Sequence, residues 1–296
     1  MPADYFGSRK YKNMENFNPL VSVITPTFNS EKFIEKNIQS IVGQDYKNIE
    51  HIIIDGGSTD HTIEIIKKYA KNGNLQWITE KDQGPMDAYN KGLKLAKGDI
   101  ISFLNGDDYY TNGAVMKVVE TFYKNPKIDV VYGSCQEYDY KKKKFTIISR
   151  INPKDIENIT PEDILGGKKA LLFQTSMFHR RTIVDKTAPV HIDGFVMELD
   201  WWYRMLQNGA KIMYLDKILA IIGQHENRGS VMYAAQAVKS NINYLEKLGR
   251  KVPLGARISY LRWKYPTIPN FIKKYFPSLF AFLSELIKKL LNTLKE

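Results

Sequence analysis

Residues 21–62 read "VSVITPTFNSEKFIEKNIQSIVGQDYKNIEHIIIDGGSTDHT", in which two apolar runs are separated by a helical pattern. The second apolar run, "IEHIIID", ends at Asp55. Between the runs, four apolar residues recur at the spacing of one helix face: Ile34, Ile38, Ile41 and Val42. A strand, a helix and a second strand in this order predict a right-handed βαβ unit with parallel strands.

The same alternation extends over about residues 20–132. Three more short apolar runs follow: "LQWITE", "DIISFLN" and "IDVVYG". A helical stretch precedes each of the first two runs, "TIEIIKKYAK" before "LQWITE" and "MDAYNKGLKLAK" before "DIISFLN". Strands that alternate with helices of this length predict an α/β fold with a Rossmann-like, mainly parallel central sheet and flanking helices. The continuous apolar runs are typical of a sheet that is covered on both faces.

Acidic and glycine-rich segments follow three of the predicted strands. Asp55 precedes "GGSTD", Glu80 begins "EKDQGP", and the strand "IISFL" ends in "NGDD" at residues 105–108. In open α/β sheets, ligands bind beyond the carboxyl ends of the strands. We therefore expect these three segments to share one ligand-binding edge.

The adjacent carboxylates Asp107 and Asp108 predict a site for a hard divalent cation. Mg²⁺ or Mn²⁺ takes one or two protein carboxylates and completes its shell with water and substrate phosphates. The alternative is a solvated acidic turn, since Asn-Gly-Asp is common turn chemistry.

Asp55 also has two possible roles. It is either a ligand of a nucleotide base or ribose, or a plain turn residue. Neither GxGxxG nor GxxxxGK[ST] occurs, which disfavours a dinucleotide dehydrogenase or a P-loop enzyme.

Composition narrows the class and the compartment. The chain has 296 residues, one cysteine and a formal net charge of +11. A single cysteine excludes an internal disulfide framework and favours a reducing, cytoplasmic setting. We see neither a signal peptide nor an apolar run long enough to span a membrane. Residues 250–296 hold ten Lys or Arg and two Glu, so the rest of the chain lacks the basic excess of a nucleic-acid-binding domain.

The string at 21–62, together with "EKDQGPMDAYNKGLKLAKGDIISFLNGDD" at 80–108, resembles the inverting GT-A glycosyltransferases of family 2, above all bacterial members that build surface polysaccharides. The resemblance implies a GT-A domain over residues 1–249, with a nucleotide-sugar-binding half at 20–132 and an acceptor-binding half at 133–249. It also implies transfer of a sugar from a nucleotide-sugar donor, UDP-linked by expectation, to a glycan or polyprenyl-linked acceptor, with Mn²⁺ or Mg²⁺ as cofactor.

The resemblance also implies roles for residues of the first half. The donor pocket would be lined at the strand ends and on the following loops by Pro26, Thr27, Phe28, Asn29, Asp55, Glu80, Lys81, Asp82, Asp87 and Asn90. Asn105 and Gly106 would continue this pocket, and "NGDD" stands where the family has its DxD signature. Asp107 would then lie near the ribose and metal, and Asp108 would be the principal metal ligand. Asn105 departs from the first Asp of a literal DxD.

The second half must supply a base for the acceptor hydroxyl. In "FVMELDWWYRMLQNG", Asp200 stands where the family has its catalytic Asp, and Glu198 is the rival. The alternative for Asp200 is an acidic first-turn residue that interacts with the helix dipole. On the loop "GQHENRGSV", His225 and Arg228 are candidates for metal or phosphate contact, with a structural or solvated role as the alternative.

Two basic segments remain. "SCQEYDYKKKKFTIISR" predicts a hairpin with a basic turn at residues 141–144. The tail at 250–296 interleaves lysines with aromatic and leucine residues, which is typical of amphipathic helices on an anionic membrane surface. We therefore expect peripheral attachment to the inner face of the cell membrane. The alternative is packing on the catalytic domain or on another subunit, which leaves a homo-oligomer open.

Two other functions were weighed against sugar transfer. A nucleotidyltransferase shares the α/β core and two-acid metal site, but it normally has a glycine-rich, basic loop after the first strand, which "TPTFNSEKF" lacks. A non-catalytic membrane scaffold that binds sugar nucleotides would need no base.

Overall fold

The computed structural model describes residues 17–71, 74–147, 158–161, 163, 173–191, 197–226, 228, 239, 242, 243 and 245–249. The chain divides into two compact units, residues 1–191 with 198–225, and residues 192–197 with 226–296. The predicted basic tail at 250–296 lies outside the described residues, so it and the boundary at 249 stay predictions. No helix in the described ranges is long and apolar enough to cross a bilayer.

The first half of the chain folds into the predicted alternation of strands and helices. Its elements are β1 (Val21–Thr27), α1 (Ile34–Val42), β2 (Ile49–Asp55), α2 (Thr62–Ala70), β3 (Leu75–Thr79), α3 (Pro85–Leu95) and β4 (Ile100–Phe103). Strand β1 pairs in parallel with both β2 and β4, and β2 pairs in parallel with β3. The predicted parallel sheet is therefore confirmed for this half.

The second half is less regular. Its elements are β5 (Tyr109–Tyr110), α4 (Ala114–Lys124), β6 (Val130–Asp139), β7 (Lys144–Ile147), a 3₁₀ turn (Gln174–Ser176), β8 (Met177–Arg180), α5 (Arg181–Thr187), α6 (Met197–Gln207) and β9 (Ile212–Gln224). Strands β6 and β7 form the expected hairpin, with Asp139 opposite Lys144.

The sheet as a whole is mixed, which corrects the prediction of a mainly parallel sheet. Its order is β3-β2-β1-β4-β8-β6-β9-β5, and β7 pairs with β6 at the side. Strand β8 runs antiparallel to both of its neighbours, β4 and β6, while β6 and β9 are parallel. The reversal at β8 joins the two halves into one layer.

Helix α1 illustrates how the apolar pattern positions the polar edge of the sheet. Ile34, Ile38 and Ile41 are buried as predicted, whereas Val42 is 66% exposed and lies off this face. Asn37 is fully buried within the same stripe. A polar side chain on an apolar helix face must find hydrogen-bond partners inside the protein, and those of Asn37 lie in the loop after β4.

Two histidines are buried inside the sheet. His51 of β2 shares a hydrogen bond of 2.9 Å between its Nε2 and the Thr25 hydroxyl, and His179 of β8 places Nδ1 3.3 Å from the Ile101 carbonyl oxygen. Burial lowers the pKa of His51 to about 3 and the pKa of His179 to about 4. Both side chains are therefore neutral in the folded protein at ordinary pH.

We predict that these two histidines make the protein less stable in mild acid. In the unfolded chain they take up protons as the pH falls below about 6.5, but in the folded chain they do so only near pH 3 to 4. The contribution of the two neutral histidines to the free energy of unfolding is thus fully present above pH 6.5 and is lost as the pH falls. Between pH 7.5 and 5.5, each should lower the free energy of unfolding by on the order of 1 kcal/mol.

Urea unfolding at the two pH values measures this effect. A His51→Gln variant should flatten the pH dependence, whereas His61→Gln, which changes an exposed histidine, should not. Equal stability of the native chain at both pH values would contradict the prediction.

Candidate functional site

The three acidic and glycine-rich segments meet at one edge of the sheet. Thr27 is paired with Asp55, and Asp55 with Thr79, so β1, β2 and β3 end side by side. The Gly106 amide donates to the Pro26 carbonyl over 3.1 Å, which brings the loop after β4 to the same edge. The expected common edge is therefore present.

Asp55 organises the turn that follows β2. Its buried carboxylate accepts hydrogen bonds from the Gly57 amide at 3.0 Å, the Ser58 amide at 2.9 Å and the Thr79 hydroxyl at 2.6 Å. These three bonds all end on Oδ2. The Oδ1 atom accepts from the Ser58 hydroxyl at 2.5 Å. In this state the carboxylate serves the turn, the alternative role that the sequence left open.

The segment after β1 forms an exposed rim beside this turn. Asn29 has a positive φ of 48°, and its side-chain oxygen accepts a hydrogen bond from the Thr59 amide at 2.9 Å. Phe28 is 59% exposed, so its ring stands free at the rim. The hydroxyl of Thr27 is buried and has no hydrogen-bond partner within the described ranges. This rim combines an apolar ring with an unsatisfied polar atom, as a ligand pocket does.

The loop and helix after β3 carry a small charge network. Lys91 of α3 contacts Glu80 at 2.8 Å and Asp87 at 3.0 Å. Asp82 accepts a hydrogen bond from the Gly84 amide at 2.9 Å, and burial raises the pKa of Asp82. Lys81 is exposed. Asp87, predicted to lie near the donor, is thus engaged with Lys91.

Asn90 connects the two halves of the first unit. Its side-chain amide donates to the Val190 carbonyl at 2.7 Å, and its side-chain oxygen accepts from the Val190 amide at 2.9 Å. Such a reciprocal pair satisfies both backbone groups of one residue. Asn90 therefore holds the segment that leads to His191.

The 105–108 loop is held from the side by helix α1. The Asn37 side-chain amide donates to the carbonyls of Asn105 and Asp108, both at 2.9 Å. The Asn105 side-chain oxygen in turn accepts from the Tyr89 hydroxyl at 2.8 Å. Gly106 is required here, because a Cβ at this position would lie 2.6 Å from the Thr27 hydroxyl oxygen.

Asp108 points into the protein. It is 1% exposed, and its carboxylate accepts from the Thr175 hydroxyl at 2.8 Å and the Gly223 amide at 3.0 Å. Asn105 donates a longer bond of 3.4 Å to the same carboxylate. Each carboxylate oxygen thus has a protein donor, and the expectation that Asp108 is the principal metal ligand stays a prediction.

Asp107 points the other way and meets His225. Its Oδ2 lies 3.0 Å from His225 Nε2, and the two side chains keep 17% and 14% of their exposure. The imidazole stacks on Phe33, with ring centroids 4.3 Å apart. Neighbouring ligands of an octahedral Mg²⁺ or Mn²⁺ lie about 3 Å apart, so this pair has the spacing and the partial exposure of two metal ligands.

Asp107 and His225 together offer a cation two protein ligands at this edge. No cluster of three or more His, Cys, Asp or Glu side chains suited to a metal occurs in the part of the chain that the structure describes. Two protein ligands suffice for a cation that takes its other ligands from substrate phosphates and water. The donor set therefore fits the predicted Mn²⁺ or Mg²⁺.

Asp200 is held by two cationic or cation-forming side chains. Its Oδ2 lies 2.9 Å from Arg204 Nε and 3.0 Å from His191 Nδ1, and its side chain is 7% exposed. Arg204 also donates to the carbonyls of Thr187 and Pro189. The neighbouring Trp201 is buried and donates to the Thr187 hydroxyl at 2.9 Å. Asp200 thus fixes the start of α6 against the segment after α5.

The structure gives less information on two other candidate site residues, Glu198 and Arg228. The side chain of Glu198 lies outside the described part of the chain. Arg228 belongs to the second unit.

Sequence reasoning missed three residues of this site. Asn37 holds the 105–108 loop, Phe33 supports His225, and Thr175 binds Asp108. For Asn37 the signal was present, as a polar residue in the apolar stripe of a predicted helix. Phe33 and Thr175 carry no such local signal, because their partners lie far away in sequence.

The sequence matches the model of a known family. Residues 22–187, more than half of the chain, match "Glycosyl transferase family 2". The chain belongs to glycosyl transferase family 2. This confirms the family that the motifs at residues 21–62 and 80–108 resembled.

Two curated relatives of this family 2 chain match it over only part of their length. An uncharacterized glycosyltransferase of Rickettsia bellii is 29% identical over 81% of this chain and 35% of its own length. A GalNAc(5)-diNAcBac-PP-undecaprenol beta-1,3-glucosyltransferase of Campylobacter jejuni is 34% identical over 40% of this chain and 38% of its own length. The chain thus spans just over a third of either relative.

Solved structures show the same fold. Mannosyltransferase PcManGT from Pyrobaculum calidifontis, in complex with GDP-Man and Mn²⁺, is 17% identical with a TM-score of 0.59 over 91% of this chain and 81% of its own. S. aureus TarS 1–349, in complex with UDP-GlcNAc, is 21% identical with a TM-score of 0.56 over 86% and 81%. At these identities the likeness concerns the fold, which is the α/β GT-A type.

We predict that Asp108→Asn destabilises the folded protein. The asparagine side chain has one oxygen in place of two. Either the Thr175 hydroxyl or the Gly223 amide therefore loses its acceptor, at a cost of about 1–3 kcal/mol in the free energy of unfolding. Urea unfolding measures the change. Asp216→Asn removes a carboxylate from an exposed position of β9 and should change stability by less than about 0.5 kcal/mol. Equal stability of the two variants would contradict the structural role of the Asp108 carboxylate.

Proposed function

We propose that this protein transfers a sugar from a nucleotide-sugar donor to a hydroxyl group of a glycan or glycolipid acceptor, with inversion at the sugar carbon. The observation that carries the proposal is the pair of Asp107 and His225, 3.0 Å apart at the sheet edge that Asp55 shares. Membership of family 2 supports the reaction class.

Asp107 and His225 would hold the divalent cation. When bound, the cation neutralises charge on the donor diphosphate and on the nucleoside diphosphate that leaves. Mg²⁺ prefers an all-oxygen shell, so an imidazole in the ligand set favours Mn²⁺. This arrangement gives Asp107 the role that the sequence assigned first to Asp108, while Asp108 positions the loop.

The nucleoside would lie on the rim after β1. Pro26, Thr27 and Asn29 line this rim with Phe28, whose exposed ring offers an apolar face to a base. Asp55 Oδ1 accepts from the Ser58 hydroxyl, which can rotate away and leave this oxygen for a base N–H. We propose a UDP-linked donor. TarS with UDP-GlcNAc supports this choice, whereas PcManGT with GDP-Man supports a guanine nucleotide instead.

The remaining residues of the predicted donor pocket would act through the loops. Lys81 is exposed beside the turn at Gly57, so its ammonium is free to approach a phosphate or a sugar hydroxyl. Asp87 and Asn90 would set the position of α3 rather than touch the donor, because Lys91 and Val190 engage them.

The base would be one of two carboxylates at the start of α6. It must present a free lone pair to the acceptor hydroxyl, on the face of the sugar opposite the leaving group. Asp200 has Arg204 and His191 on the same oxygen and is nearly buried. Both partners would compete with the acceptor hydroxyl for this oxygen. The geometry of Asp200 therefore moves our preference to Glu198, with Asp200 as the residue that anchors the helix.

The acceptor and the cellular location are further proposals. The Campylobacter jejuni relative is named for action on an undecaprenyl-diphosphate-linked glycan. By analogy, we propose a polysaccharide or lipid-linked acceptor at the cytoplasmic face of the membrane. The basic segment at 250–296 would provide the peripheral contact with anionic lipids.

A donor-binding experiment tests the metal site. We expect UDP to bind the native chain at least about tenfold more tightly with Mn²⁺ than without it, as measured by calorimetry. In Asp107→Asn and in His225→Gln this gain should disappear, because each removes one of two protein ligands. Asp216→Asn, with the same loss of charge outside the site, should keep it. Equal UDP affinity with and without Mn²⁺ in the native chain would contradict a metal-bridged donor.

A second experiment separates the two candidate bases. We expect Glu198→Gln to lower sugar transfer by at least about 100-fold while UDP affinity stays unchanged, because only the proton acceptor is lost. Asp200→Asn should instead lower the melting temperature. Transfer assays and thermal unfolding are to be run on both variants. Transfer that survives both substitutions would contradict a base at either position, whereas a native chain that transfers no sugar would favour a non-catalytic scaffold.

A further inference from the structure

A ladder of aromatic rings extends from His225 to the β6–β7 hairpin. We call it the aromatic strip, and it consists of Phe33, Tyr140, Tyr138 and Phe145. Adjacent ring centroids lie 4.9 Å apart for Phe33 and Tyr140, 5.0 Å for Tyr140 and Tyr138, and 4.9 Å for Tyr138 and Phe145. Its inner end, Phe33, is the ring on which His225 stacks.

The hairpin places these rings on one face of the sheet. Tyr138 is directly opposite Phe145 in the antiparallel pair. Because strand side chains alternate, Tyr138 lies on one face of β6 while Glu137 and Asp139 lie on the other. Gly223 of β9 leaves room beside Tyr140, since a Cβ there would lie 3.1 Å from its ring. The strip is therefore a built feature of the sheet.

Positive charge borders the strip on two sides. The hairpin turn consists of four exposed lysines, residues 141–144, of which Lys142 pairs with Asp139 at 3.0 Å. On the helix side, the Lys36 ammonium lies 3.8 Å from the centroid of Tyr109 and 5.2 Å from that of Tyr138. Lys36 makes no ion pair with the carboxylates of the described residues, so its charge is available to an anion.

We propose that the aromatic strip and its lysines form the acceptor subsite, and that the acceptor is a glycan bearing carboxylate or phosphate groups. This rests on the proposed function, because the strip begins at the proposed metal ligand His225 and so leads to the reacting sugar carbon. Ring faces pack against the C–H faces of sugars, while lysines pair with anionic substituents. The exposed positive charge of the hairpin turn favours an anionic glycan over a neutral one.

The arrangement of the hairpin argues against a membrane as the occupant. A loop that inserts into a bilayer places apolar residues at its tip, with basic residues behind them. Here the tip itself is made of the lysines at 141–144. The rings lie behind it, where Phe145 is 52% exposed and both tyrosines are partly buried.

The test compares two oligosaccharides of equal length. One is a hexasaccharide of alternating glucuronic acid and N-acetylglucosamine, and the other is neutral chitohexaose. Binding to the full chain is measured by saturation-transfer NMR and calorimetry at low salt, without a donor. We expect the anionic hexasaccharide to bind at least about tenfold more tightly than chitohexaose, and this preference to decline as salt is added.

Two pairs of variants localise the binding. Phe145→Ser and the double variant Lys143→Gln with Lys144→Gln should each weaken binding of the anionic hexasaccharide by about tenfold. The matched controls are Tyr123→Ser, at a partly exposed ring of α4, and Lys124→Gln with Lys127→Gln, near the opposite end of β6. The controls should bind as the native chain does. Thermal unfolding verifies that all variants fold.

Further readouts decide what a failure means. UDP binding with Mn²⁺ should be the same in the hairpin variants as in the native chain. If the native chain itself does not bind UDP with Mn²⁺, that result counts against the proposed function and not against the aromatic strip. Equal affinity for both hexasaccharides, or hairpin variants that bind like the controls, would overturn the strip as an anionic-glycan site. So would variants that lose only binding to phosphatidylglycerol vesicles, since the occupant would then be a lipid surface.

Discussion

The position of the 105–108 loop depends on the burial of one carboxylate. Asp108 accepts hydrogen bonds from the 3₁₀ turn and from β9, and Asn37 of α1 holds the backbone on either side of it. An ionised carboxylate is costly to bury unless protein donors satisfy its oxygens. The loop therefore has a single favourable position, in which the preceding side chain, Asp107, is turned outward to His225.

This constraint works only because the second half of the first unit is attached firmly to the first half. Strand β8 lies between β4 and β6, and the two arginines at its carboxyl end donate to backbone carbonyls on both sides. Arg180 binds the carbonyl of Ile128, and Arg181 binds that of Gly98. Arginine side chains in proteins are mostly exposed. These two instead close the gap between strands from distant parts of the chain, and so carry Thr175 to Asp108.

The sequence predicted most of the first half and the edge where the acids meet, because strands and helices that are adjacent in sequence are also adjacent in the sheet. The direction of β8 could not be predicted, since a strand of four residues, Met177–Arg180, is compatible with either orientation. The two aspartates were harder to separate because their chemistry is identical. From Asn105 to Tyr110, partly exposed and buried residues alternate, which is the period of an extended chain. Strand β5 has only two residues, too few for that period to be visible beforehand.

The same distinction between a carboxylate that serves the fold and one that serves a ligand applies to α6. Asp200 and Arg204 are four residues apart, the spacing at which side chains on a helix meet, and the pair is visible in the sequence. A partner at that distance, with His191 added from the preceding segment, restrains the carboxylate. A residue that must receive a proton from an incoming hydroxyl cannot keep both partners on its accepting oxygen. At the loop after β4 and at the start of α6 alike, an acid whose carboxylate is held by protein donors is therefore the one that we assign to structure.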